Sequence, residues 1–385
     1  MIRDDIFNTI KYAIWGTGKA SVDQQVFDEM KKHSIAALLI PCLSTVEMSS
    51  ELKKQWMDYA VQQVSYNTKY RYEQIHIQLT VPYVVLKGTT AAQYYPYPEY
   101  RAMGDIDIMT CREDVDIAYK QLTDSGYHIV QNIYKEISLV KNGVSIDLHR
   151  QFASLNNINY VKYLDDLIIE HINPTHVLPD QINGLVLLEH INQHLEGGLG
   201  LRQIIDWMMF VDKDLPDDKW PEFFELVKNI GLVKLAVVCT HMCEIYLGLS
   251  SRKWCADADV TLCDQLMDYV LACGNFGNKK NKTEKDISIN ALTYLRTPKA
   301  WFGLLQRQGL VNWNAAQRHT ALKPFAWIYQ WFRYVSKGLK REQAISKIWA
   351  EHSAAKKKMA LFDALGVKTA TKDLVKYKDG KYVKE

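Results

Sequence analysis

Residues 104–110 read GDIDIMT, and residues 144–149 read VSIDLH. Alternate side chains of a β-strand point to opposite faces of the sheet. The first stretch therefore places Asp105 and Asp107 together, with isoleucines on the opposite face. The second stretch places Asp147 on the polar face of a neighbouring strand. These two stretches predict a small sheet with one apolar face and one acidic face.

The acidic face is a predicted metal site. Carboxylates that project together repel one another unless a cation lies between them. Their oxygens are hard ligands that suit magnesium or manganese. The sequence thus predicts a Mg²⁺ or Mn²⁺ site built from Asp105, Asp107 and Asp147. The alternative is a solvated turn or a helix-capping cluster, which is common when such a motif stands alone.

The flanking sequence sets the order of elements around this site. From Val81 onward, short apolar runs broken by Gly, Pro and Asn predict strand, helix, strand, helix and then antiparallel strands. The second helix is predicted before Gly126, where apolar residues recur at helical intervals. Upstream, a strand runs into Gly88 and Thr89 before a short helix, so backbone amides there are suited to binding phosphate.

The dipeptide Asn-Gly at residues 142–143 predicts a β-hairpin. A two-residue type I′ turn needs positive φ at both central positions, and Asn-Gly meets that need. Such a turn pairs Lys141 with Val144 and Ser138 with Asp147. The hairpin therefore fixes which residues lie beside the third carboxylate.

The remainder of the chain has mainly helical patterns. We expect an α+β protein with a small mixed sheet and flanking helices. Its expected parts are a helical N-terminal cap over residues 1–80, a core over 81–155 and a mostly helical C-terminal region over 156–385. Residues 274–286 are the clearest predicted loop or linker.

Composition narrows the class of protein. The 385 residues carry a formal net charge of +3, which by itself does not favour a polyanionic partner. The sequence starts without a signal-peptide pattern and has no window of the ~20 apolar residues needed for a membrane span, so a cytoplasmic protein is expected. Seven cysteines without a CxxC pair favour reduced, buried thiols over a disulfide or zinc framework.

The motifs resemble those of a known superfamily. The Gly88-Thr89 turn, the Asp-Ile-Asp strand and the later Asp147 are similar to the nucleotidyltransferase pattern, which belongs to a polymerase-beta-like fold. Residues 86–110 and 190–207 more closely resemble the bacterial family of uncharacterised nucleotidyltransferases, and the resemblance covers most of residues 25–215. Two departures are Gly-Thr in place of Gly-Ser or Gly-Gly, and a longer spacing from that turn to the aspartates.

The resemblance implies a metal-dependent transfer of a nucleoside monophosphate from an NTP to a hydroxyl of an unidentified acceptor. Asp105 and Asp107 would bind the metal that carries the β and γ phosphates, and Asp147 would help to hold a second metal near the acceptor hydroxyl. The implied nucleotide-binding residues are Lys87, Gly88, Thr89 and Arg101. Lys87 and Arg101 have an alternative role as salt-bridge partners of the aspartates.

Two auxiliary residues are predicted, His149 and Arg202. His149 shares a face with Asp147 and is either a proton-transfer or metal-orienting group or a structural hydrogen bonder. Arg202 is expected to brace its helix with Asp206, facing the cleft. His190 and His194 have zinc-compatible spacing, but the chain lacks the HExxH pattern, so a role in the wall of the site is preferred.

Other functions remain open at the level of sequence. The chain could be a nucleotide-binding module without turnover, or its C-terminal half could be a scaffold for a partner. Residues 324–341 carry aromatic residues followed by basic ones, as in a membrane-surface or partner helix, although core packing is the preferred interpretation. The acceptor could be a small molecule, a protein or RNA.

Overall fold

The computed structural model describes residues 2–274, most of 302–339, 356–367, 375–378 and 381–384. The chain divides into two compact units. The first unit contains residues 1–279 and 364–385, and the second contains residues 280–363. The expected division at residues 80 and 155 stays a prediction, and the loop expected at 274–286 lies outside the described residues except for Gly274.

The centre of the first unit is a five-stranded mixed sheet in the order β1-β2-β5-β4-β3. β2 and β5 are parallel, and the other neighbouring strands are antiparallel. The predicted α+β class and the predicted order of strands and helices are confirmed. The strands are β1 (Tyr83–Leu86), β2 (Ile106–Thr110), β3 (His128–Asn132), β4 (Glu136–Lys141) and β5 (Val144–His149).

Helices surround this sheet. A second, two-stranded sheet, β6 (Val375–Lys378) with β7 (Lys381–Lys384), interrupts the mainly helical C-terminal part. The helices of the first unit are α1 (Ile2–Trp15), α2 (Gln24–Lys32), α3 (Ser50–Ile75), α4 (Thr89–Ala92), α5 (Val115–Asp124), α6 (Ile158–Glu170), α7 (Asp180–Gly197), α8 (Leu201–Asp214), α9 (Trp220–Asn229), α10 (Val233–Leu247) and α11 (Val260–Cys273).

The β4–β5 hairpin forms as the sequence predicts. Asn142 and Gly143 have φ values of 53° and 75°, which is the left-handed region that a type I′ turn requires. The ladder pairs Lys141 with Val144 and Ser138 with Asp147. The register beside the third carboxylate therefore follows from a two-residue turn.

The apolar face of the sheet packs against α3 and α5. Ile108 and Ile146 from the sheet are fully buried against Tyr70 of α3 and against Ala118 and Leu122 of α5. Burying a side chain of isoleucine size stabilises a fold by about 1.5–3 kcal/mol. A one-residue slip of β2 would turn its isoleucine side chains to the acidic face and place Asp107 in the apolar core, so this core fixes the face on which the carboxylates lie.

The other face of the sheet meets α7 and α8. Residues 201–211 of α8 are buried on all sides, as expected for a helix in the middle of a core. Asn67 of α3 holds the chain just before β2, because its side chain donates to the carbonyls of Glu99 and Arg101 at 2.8 and 2.9 Å and accepts from Met103 N at 3.0 Å. These bonds position the start of the acidic strand.

The second unit contains a helix over Ala326–Leu339. Trp313 stacks on Tyr329 of this helix, whereas Trp331 and Phe332 are exposed. No helix in the described ranges is long and apolar enough to cross a membrane. A role for this helix at a membrane surface or a partner stays a prediction.

Candidate active site

The three predicted carboxylates converge. Asp107 on β2 is the ladder partner of Asp147 on β5, and Asp105 immediately precedes β2. Each offers an oxygen, and these oxygens all lie within 4.8 Å of one another. Parallel pairing of the two strands thus assembles the acidic group that strand alternation alone could only suggest.

The group has the electrostatics of crowded anions. Repulsion from Asp107 and burial together raise the pKa of Asp105 to about 6. Burial and the same neighbour also raise the pKa of Asp147. For Asp107, burial is outweighed by the Lys87 ammonium and by a hydrogen bond from His149, so its pKa lies below the usual range. A site with these properties is suited to a cation.

Lys87 supplies the nearest positive charge. Its Nζ lies 2.8 Å from Asp107 Oδ1, and both side chains are almost completely buried. Burial alone would lower the pKa of this lysine, but Asp107 and Asp105 outweigh burial and raise it. Lys87 and Gly88 have φ values of 54° and 51°, so a left-handed turn after β1 directs the lysine to the carboxylates.

A cavity of about 230 Å³ opens between the carboxylates and the α7–α8 helices. Its walls combine the acidic group with nitrogen-bearing side chains from distant parts of the chain. These are Lys87, Arg101, Lys135, His149, His190, Gln193, His194 and Arg202. A cavity with hard anionic ligands on one wall and cations on the others is suited to a metal-bound polyanion.

Comparison with known proteins agrees with this geometry. The family described as uncharacterised nucleotidyltransferase matches residues 21–248, which include the whole five-stranded sheet and α3 to α10. The chain belongs to this family. Neither the curated proteins nor the solved structures gave a match. The resemblance seen in the motifs is thereby confirmed at the level of the family.

His149 contacts the acidic group through Asp107. Its Nε2 donates to Asp107 Oδ1 at 2.8 Å, and its Nδ1 lies 3.5 Å from Glu136 Oε2. The imidazole is 3% exposed, so burial and the bond to Asp107 fix its orientation. Lys87 and His149 both bind the same oxygen of Asp107, which leaves its Oδ2 to other ligands.

The Gly88-Thr89 turn lies beside the acidic group. Gly88 lines the cavity, and a Cβ at this position would lie 3.6 Å from the carbonyl oxygen of Asp105. The Thr89 hydroxyl donates to Gln74 Oε1 at 2.9 Å. Threonine keeps the hydroxyl that serine has at this position of the motif, and in this structure that hydroxyl holds the turn to α3.

Arg101 lines the cavity but binds a different aspartate. Its Nε and Nη2 donate to the two oxygens of Asp206 on α8, at 2.9 and 2.5 Å. Tyr95 also donates to Asp206, at 2.7 Å, and all three side chains are buried. This network joins the Tyr-Pro loop, which is residues 94–100 before β2, to α8.

Arg202, His190 and His194 form the wall of the cavity that α7 and α8 contribute. Arg202 donates from Nη1 to the carbonyl of Ala102 at 3.1 Å. Burial lowers the pKa of His194 to about 4 and places that of His190 well below its usual value, so both imidazoles are neutral. Two groups of three side chains suited to binding a metal occur among the described residues, and neither group includes His190 or His194.

Some residues at the site were not identified as site residues from the sequence, although Ser138 was predicted as the ladder partner of Asp147. Lys135 and Glu136 line the cavity at the start of β4, and the Ser138 hydroxyl donates to Asp147. Ser138 is the residue opposite Asp147 in the predicted hairpin. Glu136 lies two positions earlier and so on the same face, and strand alternation could have identified both. Lys135 gave no such signal, because its role depends on tertiary packing.

A second group of possible metal ligands lies away from this site. His241, Glu244 and Cys255 each offer one atom within 4.8 Å of the others. Cys255 Sγ donates to Glu244 Oε1 at 3.2 Å, and His241 Nδ1 lies 2.8 Å from Glu244 Oε2. All seven cysteines are free thiols, and four of them are buried: Cys239, Cys243, Cys255 and Cys263. Hydrogen bonds account for the arrangement of these three side chains.

Proposed function

We propose that this protein is a metal-dependent nucleotidyltransferase that moves a nucleoside monophosphate from an NTP to a hydroxyl of an acceptor. The observation that carries the proposal is the convergence of Asp105, Asp107 and Asp147 within 4.8 Å beside a cation-lined cavity. Membership of the nucleotidyltransferase family supports the choice of reaction.

The residues present fit a divalent cation. Three carboxylates supply hard oxygen ligands. Repulsion from Asp107 and burial raise the pKa of Asp105, burial and the same repulsion raise that of Asp147, and a bound cation would relieve the repulsion. When bound, Mg²⁺ or Mn²⁺ would neutralise phosphate charge and lower the pKa of the acceptor hydroxyl. Ser138 and His149 would orient the ligands Asp147 and Asp107, as outer-shell groups do.

The cationic side chains of the cavity would bind the triphosphate. Lys87 points into the cavity from the turn after β1, and Arg202 faces it from α8. Gly88 and Thr89 would contribute backbone amides to the phosphates. The Nε and Nη2 of Arg101 both donate to Asp206. We therefore assign Arg101 the role of positioning the Tyr-Pro loop against α8.

In the proposed reaction, the acceptor oxygen forms a new bond to the α phosphorus. The bond from that phosphorus to the bridging oxygen breaks, and pyrophosphate leaves with the electron pair. The hydroxyl proton passes to the Asp147 carboxylate and then to water. Lys87 and Arg202 stabilise the charge on the leaving group, so positioning and electrostatics supply most of the rate enhancement.

Calorimetry with each of the four ribonucleoside triphosphates and Mg²⁺ tests the proposal. The test variant is Asp105→Asn with Asp107→Asn, which keeps shape and removes charge. The matched control is Asp116→Asn with Asp124→Asn, because these aspartates are exposed on α5. We expect Mg²⁺-dependent binding in the wild type and the control and loss of binding in the test variant. Absence of binding in the wild type would contradict the proposal.

One observation favours a second candidate, a nucleotide-binding module without turnover. Lys87 places a cation 2.8 Å from Asp107, and the Thr89 hydroxyl is already bonded to Gln74. If both contacts persisted with nucleotide bound, the site would hold nucleotide without assembling the reaction. Tight Mg²⁺-dependent binding with no release of pyrophosphate would identify this function.

A further inference from the structure

The cleft has two arms that meet at Asp105 and Asp147. The helix-side arm is the 230 Å³ cavity between the carboxylates and α7–α8. The sheet-side arm is a more open cavity of about 310 Å³ over the polar face of β3, β4 and β5. Gly104, Asp105 and Asp147 line both arms, so a molecule in either arm reaches the same reacting centre.

The sheet-side arm is built by strand register. Asp147 pairs with Ser138 on β4, and Ser138 pairs with Gln131 on β3. These three side chains form one row across the sheet from the acidic group towards the exposed edge. Val140, which is paired with Ser145, lies in the adjacent row. The arm thus has hydroxyl and amide groups beside an apolar patch.

The two arms differ in charge. The helix-side arm has lysine and arginine side chains, including Lys87, Lys135 and Arg202. The residues that line the sheet-side arm, all in the described part of the chain, carry charge only at Asp105 and Asp147. An anion in the sheet-side arm would face two carboxylates without a lysine or arginine in its lining.

This contrast assigns the substrates to separate arms. A triphosphate needs cations, so it belongs in the helix-side arm. The acceptor oxygen must approach the α phosphorus from the side opposite the departing pyrophosphate. The sheet-side arm is a second cavity lined by Asp105 and Asp147, so an acceptor bound there reaches the same carboxylates as the nucleotide.

We propose that the sheet-side arm is the acceptor subsite and that it takes a small, uncharged or cationic hydroxyl compound with an apolar portion. The proposal rests on the nucleotidyltransferase function proposed above. A volume of about 310 Å³ is at the lower end for small-molecule sites. Phosphorylated acceptors and RNA ends are disfavoured, because the lining of this arm offers no lysine or arginine to their phosphates. The Ser138 hydroxyl and the Gln131 amide supply hydrogen bonds to the acceptor.

Charged thiol reagents test the charge and occupancy of this arm. Gln131→Cys places a thiol at the exposed end of the arm. The background for this variant carries Cys42→Ser, Cys111→Ser and Cys273→Ser, because these three cysteines are partly exposed. The matched control is Gln62→Cys on the exposed side of α3. Rates of modification by cationic and anionic methanethiosulfonates are measured for both thiols.

We expect the ratio of cationic to anionic rates at residue 131 to exceed that of the control roughly sevenfold, as for a potential of about one kT acting on reagents that differ by two charges. We also expect saturating Mg²⁺ and NTP to change the rate of a neutral reagent less than twofold. A ratio at or below the control, or strong protection by the nucleotide, would overturn the proposal. Absence of NTP binding to the wild type is a separate result, which would instead refute the proposed function.

Discussion

Replacing Lys87 by methionine is the most informative single perturbation of the site. Methionine keeps most of the length of the side chain and removes its charge. In the structure the ammonium is 2.8 Å from Asp107 Oδ1, and the lysine side chain is 11% exposed. At this separation and an effective dielectric constant of ~20, the gross attraction is about 6 kcal/mol. Desolvation of the ammonium offsets part of this attraction.

Removing one partner of a buried ion pair typically costs about 3–5 kcal/mol. The hydrogen bond from His149 to Asp107 remains in the variant, which places the expected loss near the lower end. We therefore expect Lys87→Met to lower the free energy of unfolding by about 3 kcal/mol without metal. For a unit of this size, that loss corresponds to a fall in Tm of roughly 6 °C.

The metal dependence is the decisive part of this prediction. Without Lys87, the acidic group has one less positive neighbour, so Mg²⁺ should bind it more tightly and restore most of the lost stability. Thermal unfolding with EDTA and with millimolar Mg²⁺ measures both effects, and Lys53→Met on the exposed side of α3 is the control. A Mg²⁺-induced rise in Tm no larger than that of the wild type would refute the assignment of Lys87 as the counter-ion of the metal site.

Three further predictions concern residues around the site. Ser138→Ala removes the hydroxyl bonded to Asp147 and should weaken Mg²⁺-dependent NTP binding about tenfold in calorimetry, and unchanged binding would contradict an orienting role. Arg101→Met should cost about 3–5 kcal/mol of stability in urea unfolding, and addition of Asp206→Leu should recover most of it if the ion pair is structural. Burial raises the pKa of Glu189 from an ordinary 4.5 to about 7, so the folded state loses stability relative to the unfolded state as pH rises from 4.5 through 7. The stability of the wild type relative to Glu189→Gln should therefore fall between about pH 4.5 and pH 7 and then level off, and a constant difference would show that this carboxyl ionises normally.

Much of the acidic group follows from local rules. The side-chain period of two is a property of any strand, so Asp105 and Asp107 had to share a face once β2 formed. The Asn-Gly turn fixed the β4–β5 register in the same local way, and that register set Ser138 beside Asp147. These features depend on residues within a few positions of each other.

Other roles could not be read in this way. Arg101 was expected to bind phosphate or the nearby aspartates, but its partner is Asp206, which is 105 positions away. Phosphate contact by Thr89 stays a prediction, and in the structure its hydroxyl binds Gln74 of α3. Arginine and threonine side chains take whichever partner the packing of helices brings within reach. The sequence therefore identifies the hydrogen-bond donor but not the residue that accepts from it.

The sequence by itself determined the carboxylates, their shared face, the hairpin register and the family, because these rest on strand periodicity, turn chemistry and short motifs. Only the tertiary structure decided which cations face the carboxylates and how the cleft divides into two arms. That decision depends on parallel pairing of β2 with β5 and on the docking of α7 and α8, which join segments far apart in the chain. Burial then selects the partners, since a buried charge is tolerated only where packing supplies its counter-charge.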